Sequence, residues 1–235
     1  VSAMIGVALQ ESRDLVVHNL THYITPYNIF EGSYRLFQTV EYWPEGTTFV
    51  SVVDPGVGSK RKSVVALTNK NQYIVTPDNG TLSFIKKHVG IKAVREISEV
   101  ANRRANTEHS YTFHGRDVYA YTGAKLASGH ISFEEVGPEL SVEHIVEIPT
   151  VETEVGSDFV KGAIDILDVR FGSLWTSVTR EEFYTLLPEF GDRFEVTIYN
   201  NDMLVYQNQV TYGKSFADVR IGQPLLYINS LYRVG

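Results

Sequence analysis

Residues Thr47–Thr68 read TTFVSVVDPGVGSKRKSVVALT: two β-branched runs on either side of an acid, a proline, two glycines and a basic cluster. Val, Thr and Phe suit strands, and Asp, Pro and Gly interrupt them, so the stretch reads as strand, sharp loop, strand. Pro55 fixes its own φ and pushes Asp54 toward an extended backbone, while Gly56 and Gly58 allow the main chain to approach a bound molecule. Two readings of the acid stay open: a plain Asp-Pro-Gly turn in which Asp54 bonds its own loop, or a carboxylate presented to a ligand at a strand end.

Outward from this stretch, DLVVHNL (14–20) and QYIVTPDN (72–79) read as strands and PYNIFEGSYRLFQTVEYW (26–43) as mostly helix. GTLSFIKKH (80–88) and GRDVYAYTGAKLAS (115–128) read as helices, each opening after a turn signal. The alternation predicts an α/β domain over 1–149, sandwich-like and built on a mostly parallel sheet. Beyond the polar stretch 150–158 the period becomes two, in DFVKGAIDILDV, RFEVTIYNNDMLVYQNQVTY and GQPLLYINSLY, with one helical piece at TREEFYTLL. Residues 156–235 are therefore expected to form a second, mostly β, barrel-like domain.

The formal charge is −7, and there is neither a basic stripe nor a basic amphipathic helix. Nucleic acid and anionic membrane surfaces are therefore excluded as partners, and a small molecule is expected. With no cysteine, disulfides, thiolate nucleophiles and cysteine zinc sites are excluded, and a cytoplasmic location is compatible. No transmembrane-length run or signal peptide is found. The ends, VSAMIGVAL and LYRVG, read as the middle of elements, so further residues are expected beyond both.

Three of the candidate strands run into proline loops, LTHYITPYN, VVDPGVG and VTPDNG, and ligands of open α/β sheets bind beyond strand carboxyl ends. TFHGRDVYA sets His114 between a strand end and a helix start. There it is either a general base or water-orienting group, or a structural histidine bonded to a carbonyl beside a surface Arg116–Asp117 pair. His18 and His22 have metal-pair spacing, but HNLTH lacks the acid of a zinc-protease motif; no metal and no cofactor is expected.

Taken in order, THYITPYNIFEGSYRL, VVDPGVGSKR, TPDNG, TFHGRD and DVRFGSLWT resemble the S-adenosylmethionine (SAM) hydrolase family, also called the SAM hydroxide adenosyltransferases, relatives of the fluorinating and chlorinating enzymes. The resemblance runs from Ala3 to Val234. It implies hydrolysis of SAM to adenosine and L-methionine, by water attacking ribose C5′. It assigns water activation to Asp54, Arg61 and His114, with Asp54 either the base or a partner of the ribose or sulfonium. Substrate contacts are implied for Tyr27 beside the sugar, Asp168 on the methionine ammonium, Phe171 and Ser173 near the purine with Trp175 alongside, Phe216 stacked on adenine, and Ser230 on the methionine carboxylate. A homotrimer with active sites at subunit interfaces is implied as well. Ser173 and Ser177 stand where asparagine is common in the family, and a serine hydroxyl reads less of an adenine edge than an amide. The halogenating relatives lack the aspartate at position 54 and the DPGVG pattern around it, so the resemblance favours hydrolysis over halide transfer; a non-catalytic SAM- or adenosine-binding protein on the same scaffold is the alternative.

Overall fold

The computed structural model describes residues 1–235, which divide into two units, Val1–Pro149 and Thr150–Gly235. The first unit runs α1 (Ser2–Glu11), α2 (Ile29–Val40), β1 (Thr48–Val50), β2 (Ser63–Thr68), β3 (Tyr73–Pro77), α3 (Ser83–His88), β4 (Ile91–Glu96) and α4 (Glu99–Asn102). A π-helical turn (Gly115–Ala120) then continues into α5 (Tyr121–Ala127), and β5 (Glu139–Leu140) closes the sheet. The strand order is β1-β3-β2-β4-β5.

Only β1 and β3 pair in parallel; β2–β3, β2–β4 and β4–β5 are antiparallel, so the expected mostly parallel sheet is corrected to a mixed, mainly antiparallel one. The reason is local. β2 and β3 are joined by a tight turn in which Asn71 has φ 56° and the Thr68 N–H donates to the Gln72 carbonyl at 2.9 Å, and so short a link reverses the chain. DLVVHNL forms no strand: Val16, Val17 and Leu20 are exposed, and no neighbouring edge pairs with them.

The directions of these strands decide where chemistry can gather. β1, β3 and β4 run the same way and β2 runs against them, so three strand ends and the start of β2 meet at one edge of the sheet. Val64 and Val65 point to opposite faces, yet both are fully buried, so both faces of the sheet are covered. On one of them Val65 and Val75 pack with Val118, Tyr119 and Leu126 from the π turn and α5. Helix α2 starts where Asn28 accepts from the Glu31 N–H at 3.0 Å, a cap worth about 1 kcal/mol.

The second unit contains β6 (Glu154–Val155), β7 (Val160–Lys161), β8 (Ile164–Asp168), β9 (Ser173–Thr176), α6 (Arg180–Tyr184), β10 (Arg193–Asn200), β11 (Met203–Tyr212) and β12 (Leu225–Leu226). It is mostly β, but the barrel-like expectation is corrected. β6–β7 and β8–β9 are separate two-stranded sheets, and β10-β11-β12 form a third, so no sheet closes on itself. Closure requires every strand to pair along both edges, and β12 lends only two residues to β11. Val178, Phe183, Tyr212 and Val234 form the core of this unit, and α6 is held at its start by a Thr179–Glu182 capping box.

Candidate active site

The loop between β1 and β2 doubles back so that its two ends meet. Arg61 Nε donates to Asp54 Oδ1 at 2.8 Å and Nη2 donates to Oδ2, a two-pronged guanidinium–carboxylate pair. The turn is tightened by the Val57 N–H to the Asp54 carbonyl (3.3 Å) and the Ser59 N–H to the Gly56 carbonyl (3.0 Å). Gly58 is required twice over: its φ is 78°, and a Cβ there would lie 3.0 Å from the Tyr111 carbonyl oxygen.

Tyr111 belongs to the segment that brings in His114, 53 residues beyond Arg61. Arg61 Nη2 lies 2.9 Å from His114 Nδ1. A guanidinium nitrogen only donates, so Nδ1 accepts and the imidazole is neutral, with its proton on Nε2. That Nε2 is buried and has no protein partner. The three side chains are nearly dry: Asp54 is 5% and Arg61 10% exposed at the side chain, and His114 4% as a residue. Burial holds the His114 pKa below its usual value; Glu99 opposes that shift, and Arg61 and Arg103 add to it. Burial also works against the charge of Arg61, but the Asp54 bond and nearby negative charge outweigh it and raise its pKa.

A second ring of residues fixes the first. Arg61 Nη1 donates to Ser63 Oγ at 3.0 Å, and Ser63 Oγ lies 3.0 Å from the Tyr119 hydroxyl. Arg103 pairs with Glu99 at 2.6 Å, donates to the Ser110 carbonyl at 2.7 Å and lies 4.5 Å above the Tyr111 ring, which in turn sits edge-on to His114. From TPDNG, Asn79 Nδ2 donates to the Val53 carbonyl at 2.8 Å. From FEGSY, Gly32 lets α2 press on Val53, since a Cβ there would lie 2.8 Å from Val53 Cγ2. Both motifs thus hold the residue next to Asp54.

Sequence reasoning overlooked Ser63, Asn79, Glu99, Arg103, Tyr111 and Tyr119. Asn79 lies in the TPDNG loop, whose turn residues mark it; the others look like ordinary strand, helix or surface residues until the chain is folded. Arg116 and Asp117 do pair, at 2.7 and 2.8 Å, although Asp117 is wholly buried.

The candidate substrate residues are disposed differently. Asp168 and Ser173 face each other across the β8–β9 hairpin, with Phe171 at its tip, 82% exposed. Ser173 Oγ lies 2.5 Å from the Tyr227 hydroxyl, and the Tyr227 ring stands edge-on to Phe216, 4.9 Å between centroids. Tyr227 therefore gathers Ser173 and Phe216, a link absent from the sequence reading. Trp175 is half-buried in β9, and Ser230 is exposed in the turn before Tyr232. Ser177 is structural: its Oγ accepts from the Ala163 N–H at 2.9 Å. In the first unit Tyr27 is exposed and has φ 68°. His22 bonds Asn19 and His18 packs on Trp43, and no group of three metal-ligating side chains is gathered anywhere in the chain.

The first unit thus holds a dry carboxylate–guanidinium–imidazole cluster on the loops beside the ends of its strands, and a mostly β unit follows it in the chain. The chain belongs to the SAM hydroxide adenosyltransferase family, whose N-terminal domain matches residues 1–137 and C-terminal domain residues 162–235. It is similar to the (R)-S-adenosyl-L-methionine hydrolases of Methanocaldococcus jannaschii (34% identity over 76% of this chain and 60% of that one) and Thermus thermophilus (30% over 98% and 83%). The match thus spans less than two thirds of the Methanocaldococcus protein. A fluorinase of Actinopolyspora mzabensis is 24% identical over 96% of this chain and 81% of its own. Among solved structures, an uncharacterized conserved protein from Thermotoga maritima superposes with a TM-score of 0.90 at 28% identity, covering 99% of this chain and 85% of that one.

Proposed function

We propose that this chain hydrolyses S-adenosyl-L-methionine to adenosine and L-methionine. The observation that carries the reading is the meeting of Asp54 and Arg61, from the two ends of the β1–β2 loop, with His114, 53 residues beyond Arg61, in one buried cluster.

The chemistry asks little of the leaving group. A neutral thioether departs from a sulfonium, so no acid is needed, and the obstacle is the weak nucleophile. A water oxygen forms a bond to C5′ as the C5′–S bond breaks, and the electron pair of that bond leaves on sulfur. The water proton passes to Asp54 and then to solvent. Arg61 stabilises the developing hydroxide, and His114 offers its Nε2–H to orient the oxygen lone pair toward carbon. The neutral imidazole is therefore a donor here and Asp54 the base. Phe216 stacks on adenine, Phe171 and Ser173 flank it, Asp168 takes the methionine ammonium, Ser230 its carboxylate, and Tyr27 lies beside the sugar. We further propose a homotrimer with its active sites at subunit interfaces; Phe171 and Phe216, exposed in the single chain, support it because both rings are free to line a ligand cleft shared with a second subunit. The proposed location is the cytoplasm, with which a chain lacking cysteine is compatible.

Incubation with SAM and chromatography for adenosine and methionine tests the reaction. Adenosine formation, reduced about 10²-fold or more in Asp54→Asn, is expected. A 5′-halo product that depends on chloride or fluoride, or no turnover at all, overturns it. Light scattering on a sizing column tests the trimer, and a monomer at working concentration rules it out.

A further inference from the structure

We propose that Ser63 and Tyr119 are positioning residues: a pair of buried hydroxyls that locks the Arg61 guanidinium so that it serves Asp54 and His114 together. The proposal rests on the reading of those three residues as the reactive cluster and adds how the cluster is held.

Arg61 has two edges to satisfy. Asp54 takes Nε and one N–H of Nη2, and His114 takes the other Nη2 hydrogen. Without a third contact the fork is free to twist about its Asp54 edge and lose His114, because one carboxylate fixes only one side of a planar group. The Nη1 bond to Ser63 Oγ supplies that contact on the far side. Ser63 is the first residue of β2, two positions after Arg61, so the strand itself sets its distance.

A serine hydroxyl alone rotates; this one is pinned by the Tyr119 hydroxyl 3.0 Å away. Tyr119 is completely buried in the core with Val65, Val75 and Val118, and its guanidinium-facing ring lies 5.6 Å from the Arg61 carbon. Burial, partly opposed by the Ser63 bond, keeps the phenol protonated, so it orders the cation without competing with Asp54 for its charge.

Tyr119 and His114 approach the same guanidinium although they are five residues apart, their rings 6.5 Å from each other. On an α-helix residues five apart diverge, whereas the i→i+5 bonding of a π turn returns them to one side. The Gly115–Ala120 turn is such a π turn. The irregular helix therefore delivers both side chains to Arg61.

The test uses the full chain with Ser63→Ala and Tyr119→Phe, neither of which adds bulk. Two readouts are taken: steady-state SAM turnover, and titration of the His114 ring protons by NMR, which needs no activity. Loss of a hydrogen bond to a charged group predicts kcat down roughly tenfold in Ser63→Ala and roughly threefold in Tyr119→Phe, with KM within twofold. The imidazole titration should shift in both variants, further in Ser63→Ala. Parental kcat and titration in both variants, a change in KM alone, or a fall in kcat with an unmoved titration overturns the proposal. If the parent protein forms no adenosine, the reaction assignment fails, and the titration alone then decides whether the hydroxyl pair holds the cluster.

Discussion

The two units carry their candidate residues in opposite ways. In the first, Asp54 and His114 are each bonded to Arg61, all three are buried, and a second layer from β2, the π turn and α4 backs them. In the second, Phe171 and Phe216 stand in solvent, and Ser173 and Phe216 meet only through Tyr227. Groups that act on a bond must be oriented before substrate arrives, so folding itself fixes them. Groups that recognise a ligand gain by staying exposed, since their apolar area leaves water only when the ligand covers it. Substitutions in the first region should therefore alter both stability and kcat, and those in the second should alter KM alone.

The sharpest test of that division is Asp54→Ala. It strands a nearly dry guanidinium, which costs about 3–5 kcal/mol and lowers the melting temperature by roughly 6–20 °C, while adenosine formation drops below detection. Asp54→Asn keeps one acceptor oxygen for Arg61 and should lose less stability than Asp54→Ala with a comparable loss of rate. Calorimetry in parallel with turnover separates the two losses; an Asp54→Ala protein as stable as the parent breaks the picture of an interlocked cluster.

Acid titration probes the same region more gently. Burial lowers the His114 pKa in the folded protein below its ordinary 6.5, so the unfolded chain binds this proton first as pH falls. The contribution of His114 to stability is thus complete above about pH 6.5 and is lost as pH falls through the depressed folded value. Protonation also puts a hydrogen on Nδ1 against the Arg61 N–H, so kcat should decline over the acid limb. Denaturant unfolding at a series of pH values should show this decline in the parent and a flatter profile in His114→Gln. Equal slopes in both proteins would assign the acid sensitivity to other groups.

In the second region Phe216→Ala should raise KM roughly tenfold, the scale of a lost base–aromatic stack, with kcat and melting temperature unchanged. A fall in melting temperature of the isolated protein would mean that Phe216 is packing rather than recognition.

Legibility in the sequence follows the same physics. β2, β3 and α2 were readable because β-branched runs and an amphipathic stretch end at explicit turn and cap residues. Asp54 stood out because a proline and two glycines surround it. Strand direction was not readable from alternating element types; the tight Asn69–Gln72 connection was the signal that outweighed them. Ser63 and Tyr119 were hidden for a different reason. Each occupies a position where an apolar neighbour disguises it, and their partnership spans 56 residues, which no local period reports. In the second unit, period two reports a half-buried strand but carries no information on whether sheets close, which is how a barrel was expected from three separate sheets.

The smallest expected effect lies at Tyr27, where the first unit carries a residue of the second unit's kind. Its φ of 68° is a left-handed conformation that a bulky side chain adopts at a cost of about 1 kcal/mol, and the residue is 78% exposed, so packing returns little of that cost. Tyr27→Gly should therefore stabilise the protein by up to about 1 kcal/mol, while KM for SAM rises a few-fold through loss of the ring proposed to lie beside the sugar. Tyr27→Ala keeps the strain and loses the ring, so it should raise KM equally without the gain in stability. Melting curves and KM for the pair decide between strain kept for recognition and a turn with no part in it: if Tyr27→Gly is more stable and binds SAM as well as the parent, the exposed aromatic has no role in the site.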